Sequence, residues 1–238
     1  MKPVAIFRHA PTEGPGYFAT YLDRHDIPWE VIKVDAGEPV PRDPGGFAGL
    51  VFMGGPMSVN DDAKLPWLTA EKRLIAEAVR AGKPFWGTCL GVQLLAASLG
   101  AKVYAGPKPE IGLLPVRLTE AARSDALFFD LPENLLTFQW HGDTFDIPPG
   151  GVQLATSELF PNQAFRWGER AYGIQFHLEV STDLARSWAE VPEYRDGLER
   201  AMGAGALENL VGNLERNGKT LIDAGRVLFE RWLDLPGD

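Results

Sequence analysis

Residues 83–97 read KPFWGTCLGVQLLAA, a short apolar run followed by a helical pattern. The apolar run predicts a buried strand over residues 84–86, and the rest predicts a helix over residues 91–99. Cys89 falls in the tight turn between them, with a glycine two residues away on each side. Small flanking residues allow the backbone of such a turn to adopt a strained conformation. The stretch therefore predicts a strand and a helix joined by a turn that presents a cysteine.

The first half of the chain repeats this alternation of strand and helix. Strands are predicted over residues 4–7, 29–34 and 50–53, helices over 16–25 and 67–80, and a loop over the Pro- and Gly-rich residues 40–46. Such an order is typical of a parallel sheet that is covered by helices.

After residue 101 the pattern changes to short strands joined by turns, which predicts an antiparallel addition to the sheet. The predicted strands cover residues 113–118, 135–139, 152–155, 164–167 and 171–176, with a short helix over 124–129. The end of the chain is predicted to be helical over residues 182–189, 206–216 and 220–233, with a linker over 190–205.

These elements together predict the fold class, which is α/β. We expect three layers, α/β/α, with a mostly parallel central sheet, an antiparallel addition and a C-terminal helical appendage. The main domain is predicted to cover residues 1–190 and the appendage residues 191–238. A chain of 238 residues with 45% hydrophobic residues is long enough to bury a core of this size.

The composition argues against several classes of function. Lys+Arg total 23 against 32 Asp+Glu, so the net charge of -9 opposes binding to nucleic acid or to anionic membranes. No apolar run is long enough to span a bilayer, and the first residues lack the apolar stretch of a signal peptide. A single cysteine excludes an intramolecular disulfide and a cysteine-based zinc cluster. We therefore predict a cytoplasmic protein without a nucleic-acid or membrane partner.

Cys89 is either a small buried side chain or a nucleophile, and its position favours chemistry. The predicted helix begins directly after it, and the partial positive charge of a helix N-terminus favours a thiolate. The backbone N–H of Leu90 would point towards a carbonyl that the sulfur attacks, as half of an oxyanion hole.

A cysteine nucleophile that acts on an amide needs a base, and the chain has four histidines. His177 and Glu179 stand two residues apart in an alternating run, so their side chains are expected on the same side, with the carboxylate orienting the imidazole. A surface ion pair is the alternative interpretation of these two residues. His9, His25 and His141 are expected to be non-catalytic, and their scattered positions make a metal site improbable on sequence grounds.

Residues 53–58 read MGGPMS at the end of another predicted strand. The carboxyl ends of parallel strands meet at the same edge of a sheet, so this turn and Cys89 are expected to lie close together. Gly55 could supply the second half of the oxyanion hole, although a plain turn is the alternative. A phosphate-binding P-loop is excluded because its motif is absent from the sequence.

The order G-G-P, G-x-C-x-G-x-Q and F-H-x-E resembles the class I (triad-type) glutamine amidotransferase family, over about residues 4–187. One departure is Leu178, where the family usually has proline between its histidine and glutamate; proline only stiffens that turn. The resemblance implies the following roles: Cys89 as nucleophile, His177 as general base and acid, Glu179 as its orienting partner, Gly55 and Leu90 as oxyanion donors, and Gln93, Glu110, Trp140, Gly142 and Asp143 as substrate-binding residues.

The resemblance also implies a reaction. Cys89 would attack the side-chain amide of glutamine, form a γ-glutamyl thioester and release ammonia, and water would then release glutamate. No cofactor is needed for these steps. The resemblance is strongest to free-standing members similar to the glutaminase domain of GMP synthase, so a separate synthetase could accept the ammonia.

Two alternatives to an amidotransferase or glutaminase stay open at this point. A γ-glutamyl peptidase would use the same three residues and differ only in the leaving group that its pocket accepts. A non-catalytic binding protein on this fold would have no need to keep Cys89, His177 and Glu179. Neither the substrate nor the role of the C-terminal helices follows from the sequence.

Overall fold

The computed structural model describes residues 1–235, and a single sheet of nine strands lies at its centre. The strands are β1 (Val4–Arg8), β2 (Trp29–Lys33), β3 (Gly49–Phe52), β4 (Phe85–Thr88), β5 (Val103–Leu118), β6 (Asn134–Phe145), β7 (Gly151–Thr156), β8 (Ala164–Trp167) and β9 (Ala171–Ile174). The helices are α1 (Tyr17–Arg24), α2 (Trp67–Arg80), α3 (Leu90–Ser98), α4 (Thr182–Trp188), α5 (Pro192–Met202) and α6 (Ala206–Leu233).

The sheet has a parallel and an antiparallel half. Its strand order is β2-β1-β3-β4-β9-β8-β7-β5-β6, and the first five strands pair in parallel. From β9 to β6 all pairs are antiparallel. The ends of β1, β3, β4 and β9 therefore meet at one edge of the parallel half, as expected for an open α/β sheet.

Helices cover the parallel half on both faces. Neighbouring residues of a strand point to opposite faces, so Leu50 belongs to one core cluster and Val51 to the other. On the Val51 face lie α1 and α6, and on the Leu50 face lie α2 and α3. Strands that are buried on both faces read as continuous apolar runs, which is why β1 and β3 were detectable in the sequence. The predicted α/β fold with three layers is confirmed.

The antiparallel half differs from the prediction in the length of its strands. The expected strand over residues 113–118 begins at Val103, and the one over residues 135–139 runs to Phe145. The two pair along their length, with a bulge between Ala105 and Glu110. The sequence did not predict the first part of β5 because this part contains prolines and glycines, which have a low strand propensity. Pairing with β6 stabilises it there in spite of that propensity.

The short helix predicted over residues 124–129 is wrong. A single 3-10 turn covers Ala121–Ser124, and the chain then forms turns around Asp125. The Asp125 carboxylate accepts hydrogen bonds from the backbone N–H groups of Leu127 and Phe128, at 3.0 and 3.4 Å. A side chain that binds nearby backbone donors competes with helix formation, which explains the difference.

The C-terminal part also differs from the prediction. The expected linker over residues 190–205 contains α5, which begins at Pro192, because proline is well suited to the first position of a helix. The two helices expected over residues 206–216 and 220–233 are one continuous helix, α6. A glycine inside a helix costs only about 1 kcal/mol, and the buried residues of α6 outweigh that cost. A domain boundary at residue 190 remains a prediction.

Within residues 1–235, no helix combines the length and the apolar character that crossing a membrane requires.

Candidate active site

Cys89 lies at the sharp turn between β4 and α3. Its backbone has φ 54° and ψ -103°, a conformation that residues other than glycine rarely adopt. Its N–H donates a 2.9 Å hydrogen bond to the carbonyl oxygen of Ile174, and its Sγ lies 3.9 Å from the carbonyl oxygen of Trp140. A Cβ on Gly91 would lie 2.1 Å from the carbonyl oxygen of Phe52, so only glycine fits there. The tight turn predicted from the sequence is therefore present.

His177 and Glu179 form a buried pair beside Cys89. His177 Nδ1 lies 2.7 Å from Glu179 Oε1, and the other carboxylate oxygen accepts the N–H of Leu178 at 3.0 Å. His177 is 1% exposed and Glu179 is 0% exposed. The alternative of a surface ion pair does not describe two side chains that are out of contact with solvent.

The backbone of His177 is fixed by its neighbours across the sheet. Its N–H donates to the carbonyl oxygen of Phe138 at 2.8 Å, and its own carbonyl accepts the N–H of Phe138 at 3.2 Å. The ring of Trp188 contacts the imidazole edge-on, with 4.7 Å between ring centroids. The imidazole is therefore held at the end of β9 in one orientation.

The pKa of the His177 imidazole lies well above its ordinary value of 6.5. Burial lowers this pKa because it disfavours the charged ring, but the carboxylate of Glu179 and the side chain of Cys89 both raise it and outweigh the effect of burial. Cys89 acts on the imidazole through its charge and through a hydrogen bond. The site is therefore arranged to hold a protonated imidazole next to the sulfur.

The turn after β3 brings Gly55 next to the start of α3. A Cβ on Gly55 would lie 2.9 Å from Leu90 Cδ2, so the two residues predicted to donate to an oxyanion are neighbours. Leu90 is the first residue of α3, and the N–H of a first helical residue has no acceptor within its own helix. Both N–H groups come from backbone that lies beside Cys89.

A cavity of about 430 Å³ opens at Cys89. Its lining includes Gly55 and four of the predicted substrate-binding residues, namely Gln93, Trp140, Gly142 and Asp143. Gln93 is fixed by a 3.0 Å hydrogen bond from its Nε2 to Gln175 Oε1. The predicted nucleophile, a predicted oxyanion donor and most of the predicted substrate contacts therefore share one cavity.

The sequence matches the family described as glutamine amidotransferase class-I over residues 18–187, which is more than half of the chain. The chain belongs to the class I glutamine amidotransferase family. This membership supports glutamine-hydrolysing amidotransferase activity in general. The family that the sequence motifs predicted is thus confirmed.

Similar proteins include both short and long members of this family. The chain is 35% identical over 178 residues to the glutamine amidotransferase-like protein YfeJ of Salmonella typhimurium. These aligned residues cover 74% of each of the two chains. A solved glutamine amidotransferase from Thermotoga maritima has a TM-score of 0.87 at 34% identity and covers 98% of both chains. The chain is also 37% identical to a GMP synthase of Lacticaseibacillus rhamnosus, but it spans only 24% of that protein's length.

Glu110 does not line the cavity of this amidotransferase, although its neighbours Pro109 and Ile111 do. Successive residues of a strand point to opposite sides, so the Glu110 carboxylate lies behind β5. There its Oε2 lies 3.2 Å from His141 Nε2, while His141 Nδ1 lies 2.9 Å from the Asp143 carbonyl oxygen. Glu110 thus supports the wall of the cavity from behind, through His141, which is part of the lining.

The cavity is also lined by residues that were not predicted to bind substrate. Tyr194 and Gly197 line it from α5, and Met57, Ser58 and Asp61 line it from the loop after β3. The signal for α5 was Pro192 followed by Tyr194 and Leu198, whose spacing of four residues is helical. Treating residues 190–205 as a linker concealed this contribution.

Two buried acidic groups were also missed, Glu13 near His177 and Glu71 beside His9. Glu13 is 2% exposed, and its Oε1 accepts a 2.5 Å hydrogen bond from the Tyr194 hydroxyl. Burial raises the pKa of the Glu13 carboxyl, although the nearby His177 lowers it. Glu71, on α2, is 0% exposed and pairs with His9. Nothing in the local sequence signals either contact, because both join residues that are far apart in the chain.

Proposed function

We propose that this amidotransferase-family protein hydrolyses a γ-glutamyl amide through a thioester on Cys89. The observation that carries the proposal is the chain of contacts from Cys89 to the buried His177 and on to Glu179, with the cysteine in a strained turn at the cavity. Nucleophile, base and orienting carboxylate in this arrangement are the parts that acyl transfer requires.

The proposed reaction has two halves. The Cys89 thiolate attacks the γ-carbonyl carbon, and the oxygen becomes an anion that the N–H groups of Gly55 and Leu90 stabilise. The bond from carbon to nitrogen then breaks, and the imidazolium of His177 gives its proton to the departing nitrogen. Water, deprotonated by His177, attacks the thioester, and the bond from carbon to sulfur breaks to release glutamate and the thiolate. Glu179 keeps the imidazole oriented throughout.

The cavity residues are proposed to bind the γ-glutamyl group. Gln93, Trp140, Gly142 and Asp143 face the space next to Cys89 and are assigned to substrate contact. Glu110 is assigned a supporting role, because its carboxylate is bound to His141, Ser157 and Gln163. The steps use protein groups and water alone. A reducing compartment such as the cytoplasm, which we also propose, would keep the thiol of Cys89 free.

The fate of the nitrogen distinguishes the candidate activities. If the substrate is glutamine, the leaving group is ammonia, which a separate synthetase could accept; the long GMP synthase relative has much sequence beyond the part that this chain matches. If the substrate is a γ-glutamyl peptide, the leaving group is an amine and no acceptor is needed. Trp140 and Tyr194 line the cavity together with Cys89, with 5.8 Å between the two ring centroids.

The first experiment measures glutamate release by the purified protein from free glutamine and from a γ-glutamyl dipeptide. The control is the Cys89→Ala variant, which removes the proposed nucleophile. Turnover of glutamine that depends on Cys89 supports a glutaminase, whereas turnover of the dipeptide alone makes the protein a peptidase.

A wild-type protein that is inactive on both substrates is then treated with iodoacetamide. Fast alkylation of Cys89 indicates an enzyme that awaits a partner or another γ-glutamyl compound. Alkylation as slow as that of a buried structural cysteine overturns the proposal in favour of a binding protein.

A further inference from the structure

His9 follows β1 and is buried against the turn that carries Gly55. The side chains of His9 and of its partner Glu71 are both 0% exposed. The His9 Nε2 lies 3.2 Å from Glu71 Oε1, and its Nδ1 lies 3.1 Å from the carbonyl oxygen of Gly54. The imidazole therefore joins α2 to the turn after β3.

Both nitrogens of His9 are in a position to donate a hydrogen bond. Burial lowers the pKa of the imidazole, but Glu71, the Gly54 carbonyl and Glu13 raise it, and the pKa lies above its ordinary value of 6.5. The ring also stacks on Trp67, with 5.6 Å between ring centroids, and such a contact favours a charged ring. A protonated His9 donates from Nε2 to Glu71 and from Nδ1 to the Gly54 carbonyl.

The bond to the Gly54 carbonyl restrains the direction of the next N–H. Gly54 and Gly55 share one peptide group, and in a trans peptide the C=O and the N–H point in opposite directions. Two consecutive glycines have wide conformational freedom, so this peptide needs an external contact to keep one orientation. His9 supplies that contact on the carbonyl side, while Gly55 lines the cavity that contains Cys89.

We propose that His9 is a positioning residue for the oxyanion hole: by holding the Gly54 carbonyl, it turns the N–H of Gly55 towards the anion that forms at Cys89. Glu71 keeps a proton on the imidazole, and so keeps the donor in place. This inference rests on the proposed function, since it assigns a task within the same reaction.

The burial of the pair supports a role beyond stability. The second carboxylate oxygen of Glu71 is buried without a hydrogen-bond partner among the described residues. Burying an ion pair that is incompletely hydrogen-bonded gives little net stability, because desolvation offsets the attraction. What the pair does provide is a fixed donor next to the Gly54–Gly55 peptide.

Two matched double variants test the inference. In His9→Asn with Glu71→Gln, the amide nitrogen takes the place of Nδ1 and still donates to the Gly54 carbonyl. In His9→Gln with Glu71→Gln, the amide nitrogen takes the place of Nε2 and the Gly54 carbonyl loses its donor. Both double variants remove the buried charges and place a neutral amide at position 9. They differ in whether the amide nitrogen takes the position of Nδ1 or of Nε2 of His9.

Three quantities are measured for each variant: kcat, KM and the rate of Cys89 alkylation by iodoacetamide, a reaction that forms no oxyanion. We expect His9→Gln with Glu71→Gln to lower kcat by roughly 10- to 100-fold. This loss is smaller than the loss of kcat on removing an oxyanion donor altogether. The KM and alkylation rate of this double variant should stay within about threefold of the wild type. His9→Asn with Glu71→Gln should keep kcat within about threefold of the wild type.

Several outcomes would overturn the inference. Equal kcat values for the two variants would mean that the bond to Gly54 has no catalytic effect. Parallel losses of kcat and alkylation would indicate damage to the fold. If His9→Gln with Glu71→Gln does not fold, His9→Leu with Glu71→Gln removes the same donor. This variant is then compared with His9→Asn with Glu71→Gln. A wild type without hydrolysis or fast alkylation would instead overturn the proposed function, and this inference with it.

Discussion

The hydroxyl of Tyr194 donates a 2.5 Å hydrogen bond to Oε1 of Glu13, and this bond ties the helix that lines the cavity to the loop after β1, in which the buried Glu13 lies near His177. The other carboxylate oxygen of Glu13 lies close to Gly54, where a Cβ would be only 2.7 Å away from it. Trp188 adds a second tie, because its Nε1 donates to the carbonyl oxygen of Thr12 at 2.9 Å. Changes in α5 should therefore reach the site.

The substitution Tyr194→Phe removes this bond and leaves Oε1 of the buried Glu13 without its donor. We expect the free energy of unfolding to fall by about 1–3 kcal/mol, the usual cost of an unsatisfied buried group. We also expect KM to rise more than kcat falls, because Tyr194 lines the cavity but is not assigned to the chemistry. Urea unfolding and initial-rate kinetics measure the two effects.

The matched control for that variant is Tyr104→Phe. The Tyr104 hydroxyl also donates to a carboxylate, Asp146, at 3.1 Å, but this tyrosine is 43% exposed and lies outside the cavity lining. Its loss should change stability by less than about 0.5 kcal/mol. Equal effects of the two substitutions would contradict a special role for the bond to Glu13.

Gly55→Ala is expected to disturb the oxyanion turn. The added Cβ would lie 2.6 Å from Met57 Sδ and 2.9 Å from both His9 Cβ and Leu90 Cδ2, so these side chains or the backbone of the turn must shift. We expect kcat to fall by about 10- to 1,000-fold, up to the loss seen when an oxyanion donor is removed. Gly14→Ala is the control, because its Cβ would have nothing within 4 Å. Steady-state rates of both variants would decide, and equal activity would contradict the assignment.

The sequence and the structure agree best where chemistry depends on local motifs. The turn at Cys89, the pair His177 and Glu179 and the glycine turn at Gly55 each lie within a few residues of a strand end, so local motifs and the family that they resemble pointed to these residues. Their joint position follows from the rule that parallel strands end at the same edge.

The parts that sequence reasoning missed depend on contacts between distant residues. His9 meets Glu71 across 62 positions, and Glu13 meets Tyr194 across 181. Neither pair leaves a periodic or local pattern, because the packing of α2 and α5 brings the partners together. The position of Glu110 depends on distant residues in the same way, because the register of β5, which includes a bulge, decides which side chains reach the cavity.

Glu179→Gln should uncouple His177 from its carboxylate. The negative charge of Glu179 raises the pKa of His177, so its removal should lower that pKa. Without the carboxylate, the His177 imidazole can adopt the tautomer that does not suit the reaction, so kcat should fall by about 100- to 10,000-fold. Rates across the pH range, with Cys89→Ala as the inactive reference, measure this effect; an unchanged kcat would contradict the orienting role.

The same substitution should change how stability depends on pH. A histidine whose pKa is raised on folding stabilises the protein fully below its unfolded pKa of about 6.5, and this contribution is lost as the pH rises through the folded pKa. The wild type should therefore lose more stability than the variant between pH 6.5 and more alkaline values. Urea unfolding at a series of pH values tests the slope, and parallel curves would contradict the assigned pKa direction.

Trp232→Ala tests whether the end of the chain belongs to the same core as the site. Trp232 is 2% exposed, donates from Nε1 to the carbonyl oxygen of Phe85 at 3.1 Å, and packs on Trp86 with 6.1 Å between ring centroids. Both contacts are on β4, which ends at Thr88, directly before Cys89. We expect a loss of about 3–5 kcal/mol in unfolding free energy, the usual cost of emptying such a position.

The matched control is Met202→Ala on the neighbouring helix, since Met202 is 44% exposed and should cost less than about 0.5 kcal/mol. If Trp232→Ala were equally mild, residues 191–238 would behave as an appendage that the main domain can lose. A large cost would instead mean that α6 stabilises the strand that precedes Cys89, so that a chain shortened at residue 190 should lose its fold and, with it, the proposed hydrolysis. Unfolding curves and glutamate release on the shortened chain distinguish the two.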